Sequence, residues 1–371
     1  MRDRRILILT PTTLPDISGN AVTAERWRQS LIKKGLSVNV HAAEHLGPGN
    51  LIEHLENIKP DVVHAHHISK AGAMFLNPHI IDRFARLPLV ISPAGTDILS
   101  QEGHVRDTGT IVAQVCKRAR VIVAQGEWVA ERLSALIPDV KDNILYVPKS
   151  FAWFGDESFD VRKLAGWSPE HFVFFLPAGI RPVKRNLETL HAIARIYEMR
   201  PHIRLALAGP SLDKDYTVRF QQDLERCGEF AKWIPIIPCG SMRSAYTSVD
   251  AVINSSSSEG LSNAVIEAIA AGKPLLASDI PGNRWPIRGN EDASTCGLLF
   301  NVSDTNDFIR LALRLIDDGD LRNQLSQAST DRASSWPSPD DEAAGLISAY
   351  EQAIKRQHKK LYAYSRWGNT K

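Results

Sequence analysis

Residues 255–283 read SSSSEGLSNAVIEAIAAGKPLLASDIPGN. A serine-rich turn leads into Glu259 and Glu267, with seven residues between them, and a short apolar strand follows Gly272. A helix starting near Ser262 turns the backbone N–H groups of Leu261, Ser262 and Asn263 outward, because the first turn of a helix has no internal acceptors for them. Together with Gly260, which lets the chain approach a ligand closely, they form a site suited to a phosphate or diphosphate. Glu259 then lies just outside the helix and Glu267 a little over one turn inside it. Carboxylates so placed would hold hydroxyls on either side of a bound anion, the arrangement a sugar nucleotide requires.

Outward from this stretch, helix and strand patterns alternate. Toward the N-terminus of its half, strands are predicted at residues 172–176, 203–208, 233–237 and 251–254, with helices at 187–199 and 216–227 between them; a helix at 304–316 follows. The first half repeats the theme. Strands at 6–10, 36–41, 62–64 and 88–92 alternate with helices beginning after residue 20 and around 50–58 and 78–85. Ala24, Trp27 and Leu31 fall at helical spacing, and Leu36, Val38 and Val40 alternate with polar neighbours. Such alternation implies parallel βαβ units, with ligands at the C-terminal strand ends. The expected fold is α/β, with two doubly wound Rossmann-like domains facing across a cleft: residues 1–150 and 151–338, with 339–371 as a return helix and basic tail.

Composition narrows the function classes. The 371 residues are 43% hydrophobic and 23% charged, ordinary for a soluble globular chain of about two domains. Lys+Arg of 44 against Asp+Glu of 42 gives a net charge of +2, so nucleic acid is not an expected partner. Four cysteines, at 116, 227, 239 and 296, show neither CxxC spacing nor disulfide density and read as free thiols. The opening MRDRRILILTPTTLP has too short an apolar run for a signal peptide and reads as a first strand, so a cytoplasmic protein is expected. The last stretch, KRQHKKLYAYSRWGNTK, is basic and contains Tyr362, Tyr364 and Trp367; it reads first as a solvated, partly ordered terminus, with a weak contact with a membrane surface as the alternative.

Three histidines, His64, His66 and His67, end a strand. Alternation sends His64 and His66 to one face and His67 to the other, and no Cys or carboxylate stands at ligand spacing, so no metal is expected. Arg181 and Lys184 lie in the turn between a strand and a helix, where cations oppose the helix dipole unless an anion lies between them. That placement suits the charge that develops on a departing nucleoside diphosphate.

The chain resembles the family 4 glycosyltransferases of the GT-B fold. The resemblance rests on Glu259 and Glu267 within EGLSNAVIEAIAAGKPLLASDIPGN, and on SGN at 18–20, DVVHAH, AGTD, AGIRPVK, LALAGP and CGLLF in the expected order. Within that family it is similar to the glycosyltransferase one-domain-containing proteins and the selenosugar synthases, through SGNAVTAERW and GIRPVK. The resemblance implies that Glu267 accepts the ribose hydroxyls and Glu259 the hydroxyls of the transferred sugar. It puts His66 near that sugar, and Gly19 and Asn20 in a loop beside the diphosphate and acceptor. It also implies retention at the anomeric carbon. The chain departs from the family in having Ala94 where histidine is common, a shortened Arg181 to Lys184 interval, and Arg185 where glycine is common.

The expected activity is a retaining, metal-independent transfer of a sugar from a nucleoside diphosphate sugar, UDP-linked by preference, to a small acceptor. No cofactor is expected; the nucleotide sugar is a substrate. The alternatives are a selenosugar or thiosugar synthase, an epimerase that needs no acceptor, and a non-catalytic sugar-nucleotide-binding protein.

Overall fold

The computed structural model describes residues 1–99, 105–289 and 294–367. The chain divides into two compact units, residues 1–150 with 337–371, and residues 151–336. Each is built on a six-stranded, wholly parallel sheet.

The first unit holds β1 (Arg5–Thr10), β2 (Ser37–Ala42), β3 (Val62–His66), β4 (Leu89–Ser92), β5 (Val121–Ala124) and β6 (Ile144–Tyr146), in the order β2-β1-β3-β4-β5-β6. β1 shows why these runs are strands buried on both faces. Leu7 and Leu9 pack into one apolar cluster and Ile6 and Ile8 into another, on opposite sides of the sheet. β5, β6 and the helices Val105–Arg118 and Glu127–Leu136 extend the alternation past the strands expected from sequence. Their absence from that expectation has a plain cause: Val-Ile-Val-Ala in β5 is buried throughout and carries no period.

The second face of this sheet is covered by the helix Gly19–Lys33 and by the return helix Pro339–Trp367. Ala343, Leu346, Ala349, Tyr350 and Ala353 of the return helix are all buried there. This helix runs to Trp367, through most of the stretch expected as a basic tail. The side chains of the basic tail from residue 360 onward, Tyr362, Tyr364 and Trp367 among them, lie outside the described residues.

The second unit holds β7 (Phe172–Pro177), β8 (Ile203–Ala208), β9 (Ala231–Ile234), β10 (Ala251–Asn254), β11 (Leu275–Ser278) and β12 (Gly297–Phe300), in the order β12-β11-β10-β7-β8-β9. Phe172, Phe174 and Leu176 enter the core on one face, Val173 and Phe175 on the other. β9 lies two residues earlier than the expected 233–237 and stops before Pro235, which has no N–H for the ladder. Strand order reverses between β1 and β3 in the first unit and between β7 and β10 in the second. Those are the topological switch points where open parallel sheets bind ligands. Among the described residues no helix is long and apolar enough to cross a membrane.

Candidate active site

In the second unit two turns leave the sheet at the switch point. After β7 the chain passes through Arg181, a single 3-10 turn at Pro182–Lys184, and Arg185, before the helix Asn186–Met199. Arg185 is left-handed, with φ 54° and ψ 41°, a conformation natural to glycine. After β10 the residues 255–262 lead into the helix Asn263–Ala270.

The two turns are laced together. The Ser257 N–H donates to the Val183 carbonyl at 2.9 Å, the Ser255 hydroxyl to the Lys184 carbonyl at 2.9 Å, and the Thr189 hydroxyl to Ser255 Oγ at 2.7 Å. The result is a fixed ion pair: Lys184 Nζ lies 2.5 Å from Glu259 Oε1, with both side chains less than a fifth exposed. The Ser256 hydroxyl donates to the same carboxylate oxygen at 2.7 Å. Burial pushes the Glu259 carboxyl up, but the Lys184 charge, the hydrogen bonds from Lys184 and Ser256 and the Arg181 charge outweigh it and hold the group ionised below its ordinary range. Arg181 stands beside this pair, and its Nε is buried without a hydrogen-bond partner.

Behind Glu259 lies a layer of amides. Asn254 Nδ2 donates to Ser262 Oγ at 2.8 Å, and Asn283 Nδ2 donates to Asn254 Oδ1 at 3.3 Å and to the Ser278 carbonyl at 3.1 Å. Ser262 is the N-cap residue of its helix, yet its hydroxyl receives Asn254 instead of capping. Gly260 and Asn263 are half-buried, and Leu261 packs into a small cluster with Ile266 and Trp336. Glu267 sits one turn inside the helix, half-buried, and accepts the Tyr246 hydroxyl at 2.9 Å. Burial first, and then the Glu267 charge, push the Tyr246 phenol well up, so it stays a donor.

Gly282 completes the turn from outside. A Cβ at this position would stand 2.4 Å from the Glu259 carbonyl oxygen and 2.8 Å from that of Gly260. The start of the helix Pro281–Arg288 therefore lies flush against the glutamate-bearing backbone, which only glycine permits.

In the first unit the structure places His66 at the C-terminal end of β3, with its Nδ1 2.9 Å from Ser92 Oγ and its ring against the edge of Trp27. His64 stacks on Trp27 from the same side of the strand and lies 3.1 Å from the same Ser92 hydroxyl. Burial, followed by the charges of His64, His67, Lys149 and Arg26, pushes His66 well below the ordinary imidazole range, and it is neutral. His67 turns away with φ 83° and lies 3.6 Å from the Asp97 carboxylate. Asp97 also receives the N–H groups of Ile68 at 2.7 Å, Ala94 at 3.0 Å and Gly95 at 3.0 Å, tying the loops after β3 and β4 together. Among the described residues no group of three or more His, Cys, Asp or Glu side chains is disposed to hold a metal ion.

Gly19 and Asn20 were expected in a loop. They are instead the first two residues of the helix Gly19–Lys33, because Ser18 caps it by accepting the Ala21 N–H at 3.0 Å. The helix N-terminus thus begins at the switch-point end of β1.

Sequence reasoning singled out Arg181, Lys184, Glu259 and Glu267, and the structure gathers the first three around one another, with Glu267 on the adjoining helix. It missed the residues that hold them, Asn254, Ser256, Tyr246, Gly282 and Asn283, and in the first unit it missed Asp97 as the tie between the loops after β3 and β4. Gly282 and Asn283 were visible as the Pro-Gly-Asn that closes the quoted stretch; Tyr246 had no local signal.

Two doubly wound units, each on an open parallel sheet with its own switch point, have the make-up of the GT-B fold. The family model described as glycosyl transferases group 1 matches residues 160–332. A Xenopus tropicalis protein, glycosyltransferase 1 domain-containing protein 1, is 30% identical over 246 residues, which is 65% of this chain and 69% of that one. Among solved structures, sucrose-phosphate synthase from Thermosynechococcus elongatus superposes with a TM-score of 0.80 at 13% identity, covering 95% of this chain and 99% of its own. Anabaena HepE in complex with UDP and glucose superposes with a TM-score of 0.76 at 17% identity, covering 94% and 99%. The chain belongs to the group 1 glycosyltransferases and has the GT-B fold.

Proposed function

We propose that the protein moves a sugar from a nucleoside diphosphate sugar, UDP-linked by preference, to a small acceptor, with retention at the anomeric carbon and without a metal ion. The observation that carries this reading is the Lys184–Glu259 pair beside the unpartnered Nε of Arg181, at the switch point of the second unit. Arg181 and Lys184 supply fixed positive charge where the leaving diphosphate develops negative charge, the task a divalent cation performs in other transferases. A diphosphate arriving beside Lys184 takes over the ammonium as a partner. Glu259, already ionised, is then released to accept hydroxyls of the transferred sugar. Glu267 accepts the ribose hydroxyls, with Tyr246 fixing one of its oxygens. Neutral His66 serves as a hydrogen-bond partner for a substrate hydroxyl, and Gly19 and Asn20 bring a helix N-terminus to the acceptor side.

In the transfer itself the anomeric C–O bond to the diphosphate breaks, and the electron pair leaves on the phosphate oxygen. The acceptor oxygen bonds to the same face of the sugar, and its proton passes to the departing phosphate. The solved complex of HepE with UDP and glucose makes UDP-sugars the first donors to try.

The test is a screen of UDP-, GDP- and ADP-sugars with pooled acceptors, read as nucleoside diphosphate release and as the product anomer by NMR. Turnover of a UDP-sugar with an unchanged anomer, unaffected by EDTA, is expected. Glu259→Gln should lower kcat/KM by about tenfold to a hundredfold, the value of a charge-assisted hydrogen bond. Failure of every donor to bind would sink the reading. Isomerised donor without acceptor would replace it with an epimerase, and product formed only with reduced selenium or sulfur species with a selenosugar or thiosugar synthase.

A further inference from the structure

A pocket of about 320 Å³ opens in the first unit at the N-terminal ends of β1, β3 and β4, the strand ends opposite to that bearing His66. Its polar lining is Arg4, Asp61, Arg83, Arg86 and His358. Phe84, Leu87 and Ile354 supply an apolar wall. This volume lies at the lower end of those that hold small ligands.

The charges are unequally matched. Asp61 is satisfied by Arg4 Nη1 at 2.7 Å and by the Arg5 N–H at 2.8 Å. Arg83 pairs with Glu56, and its side chain remains more than half exposed. Arg86 is exposed and, among the described residues, pairs with no carboxylate. Arg4 keeps further N–H donors, with its side chain 49% exposed. Three guanidinium groups thus meet two carboxylates, and the surplus positive charge stands beside an apolar wall.

The walls are held in place. Gln357, buried in the return helix, donates to the Ala85 carbonyl at 2.9 Å and accepts Arg120 Nε at 2.6 Å. Arg356 donates to Asn143 Oδ1 at 3.0 Å and to the Asp142 carbonyl at 2.9 Å. The helix carrying Ile354 and His358 is therefore clamped to the segment carrying Phe84, Arg86 and Leu87.

We propose that this pocket is a binding site for a phosphate ester on a small apolar body. Arg86, with the remaining donors of Arg4 and Arg83, takes the phosphate, and Phe84, Leu87 and Ile354 take the body. Guanidinium groups match phosphate oxygens in geometry and charge, and the apolar wall excludes water from one side of the contact. The phosphate has two sources, a soluble phosphorylated metabolite or the headgroup of an anionic phospholipid.

The experiment uses the full chain at low ionic strength. Calorimetry with phenyl phosphate, and with inorganic phosphate for the contribution of the anion alone, probes the soluble source. Flotation with phosphatidylglycerol in phosphatidylcholine vesicles, against phosphatidylcholine alone, probes the headgroup. Saturable binding in either arm is expected, weakened about tenfold or more by Arg86→Glu, since one lost charge-assisted contact is worth at least that factor. Binding in the calorimeter alone assigns a soluble ligand, and binding to anionic vesicles alone assigns a headgroup. Absence of binding in both arms, or an Arg86→Glu protein that binds as well as the original, overturns the proposal. If Arg86→Glu lowers the melting temperature, Arg86→Gln is the deciding variant.

Discussion

Glu342 gathers donors from four other residues of the first unit. Its carboxylate accepts Arg26 Nε at 2.9 Å and Nη2 at 3.2 Å, Trp27 Nε1 at 2.8 Å, the Ser150 hydroxyl at 2.5 Å and the Gln125 amide. Both Glu342 and Arg26 are almost wholly buried. Removing the carboxylate strands the guanidinium, so Glu342→Ala should cost about 3–5 kcal/mol in urea unfolding of the first unit. Burial raises the Glu342 carboxyl, but Arg26, the Ser150 hydroxyl and the Trp27 N–H bring it below the ordinary value of 4.5. A depressed carboxylate contributes stability that is present above its unfolded value and lost as pH falls through the folded one. Stability should therefore drop in acid below about pH 4.5, and Glu342→Gln should flatten that fall. His64 acts in a higher window. Burial pushes its imidazole down to about 3, so the folded state refuses a proton that the unfolded chain accepts near 6.5. Stability should begin to decline as pH falls below that value, while NMR shows the His64 ring still neutral at about pH 5.

At the scale of elements, the turn after β10 depends on the helix packed against it. Gly282→Ala should force the backbone of Glu259 and Gly260 outward, costing about 1–3 kcal/mol of stability as overpacking does. It should also reduce kcat/KM for the donor, although residue 282 touches no substrate group in the proposed mechanism; unchanged kinetics would show that the carboxylate is held by its hydrogen bonds alone. The glutamates and the cations were legible in the sequence because each occupies a local pattern, a strand, a turn and a helix start. The laced serines and asparagines were not, since Ser-Ser-Ser-Ser has the same composition whether it bridges two turns or faces water. Asn283 reaches Asn254 across 29 positions, and Tyr246 reaches Glu267 across 21. Such pairings depend on strand order, which periodicity does not encode.

For the whole molecule, alternation of helix and strand made the doubly wound architecture legible, including a chain too long for one core. It did not show that Glu342 pairs with Arg26 over 316 positions, because charges at opposite ends of a sequence carry no mutual signature. That pairing makes the first unit discontinuous, while residues 151–336 form an uninterrupted one. Deleting everything after residue 336 should unfold the first unit, since it exposes the face that Leu346 and Tyr350 cover, at roughly 1.5–3 kcal/mol for each large apolar side chain. The second unit should keep its cooperative transition in the same calorimetric scan. A single transition lost entirely would show that neither unit stands without the return helix.

The return helix also sets an order in time. A chain leaving the ribosome ordinarily completes its N-terminal domain first. Here β1 to β6 and the helix Gly19–Lys33 emerge early, but the rest of the cover over that helix's face of the sheet waits for the return helix. The unit whose strands are synthesised first is thus completed only after the second unit, and the part of its sheet face that Leu346 and Tyr350 cover must be kept from other chains in the interval.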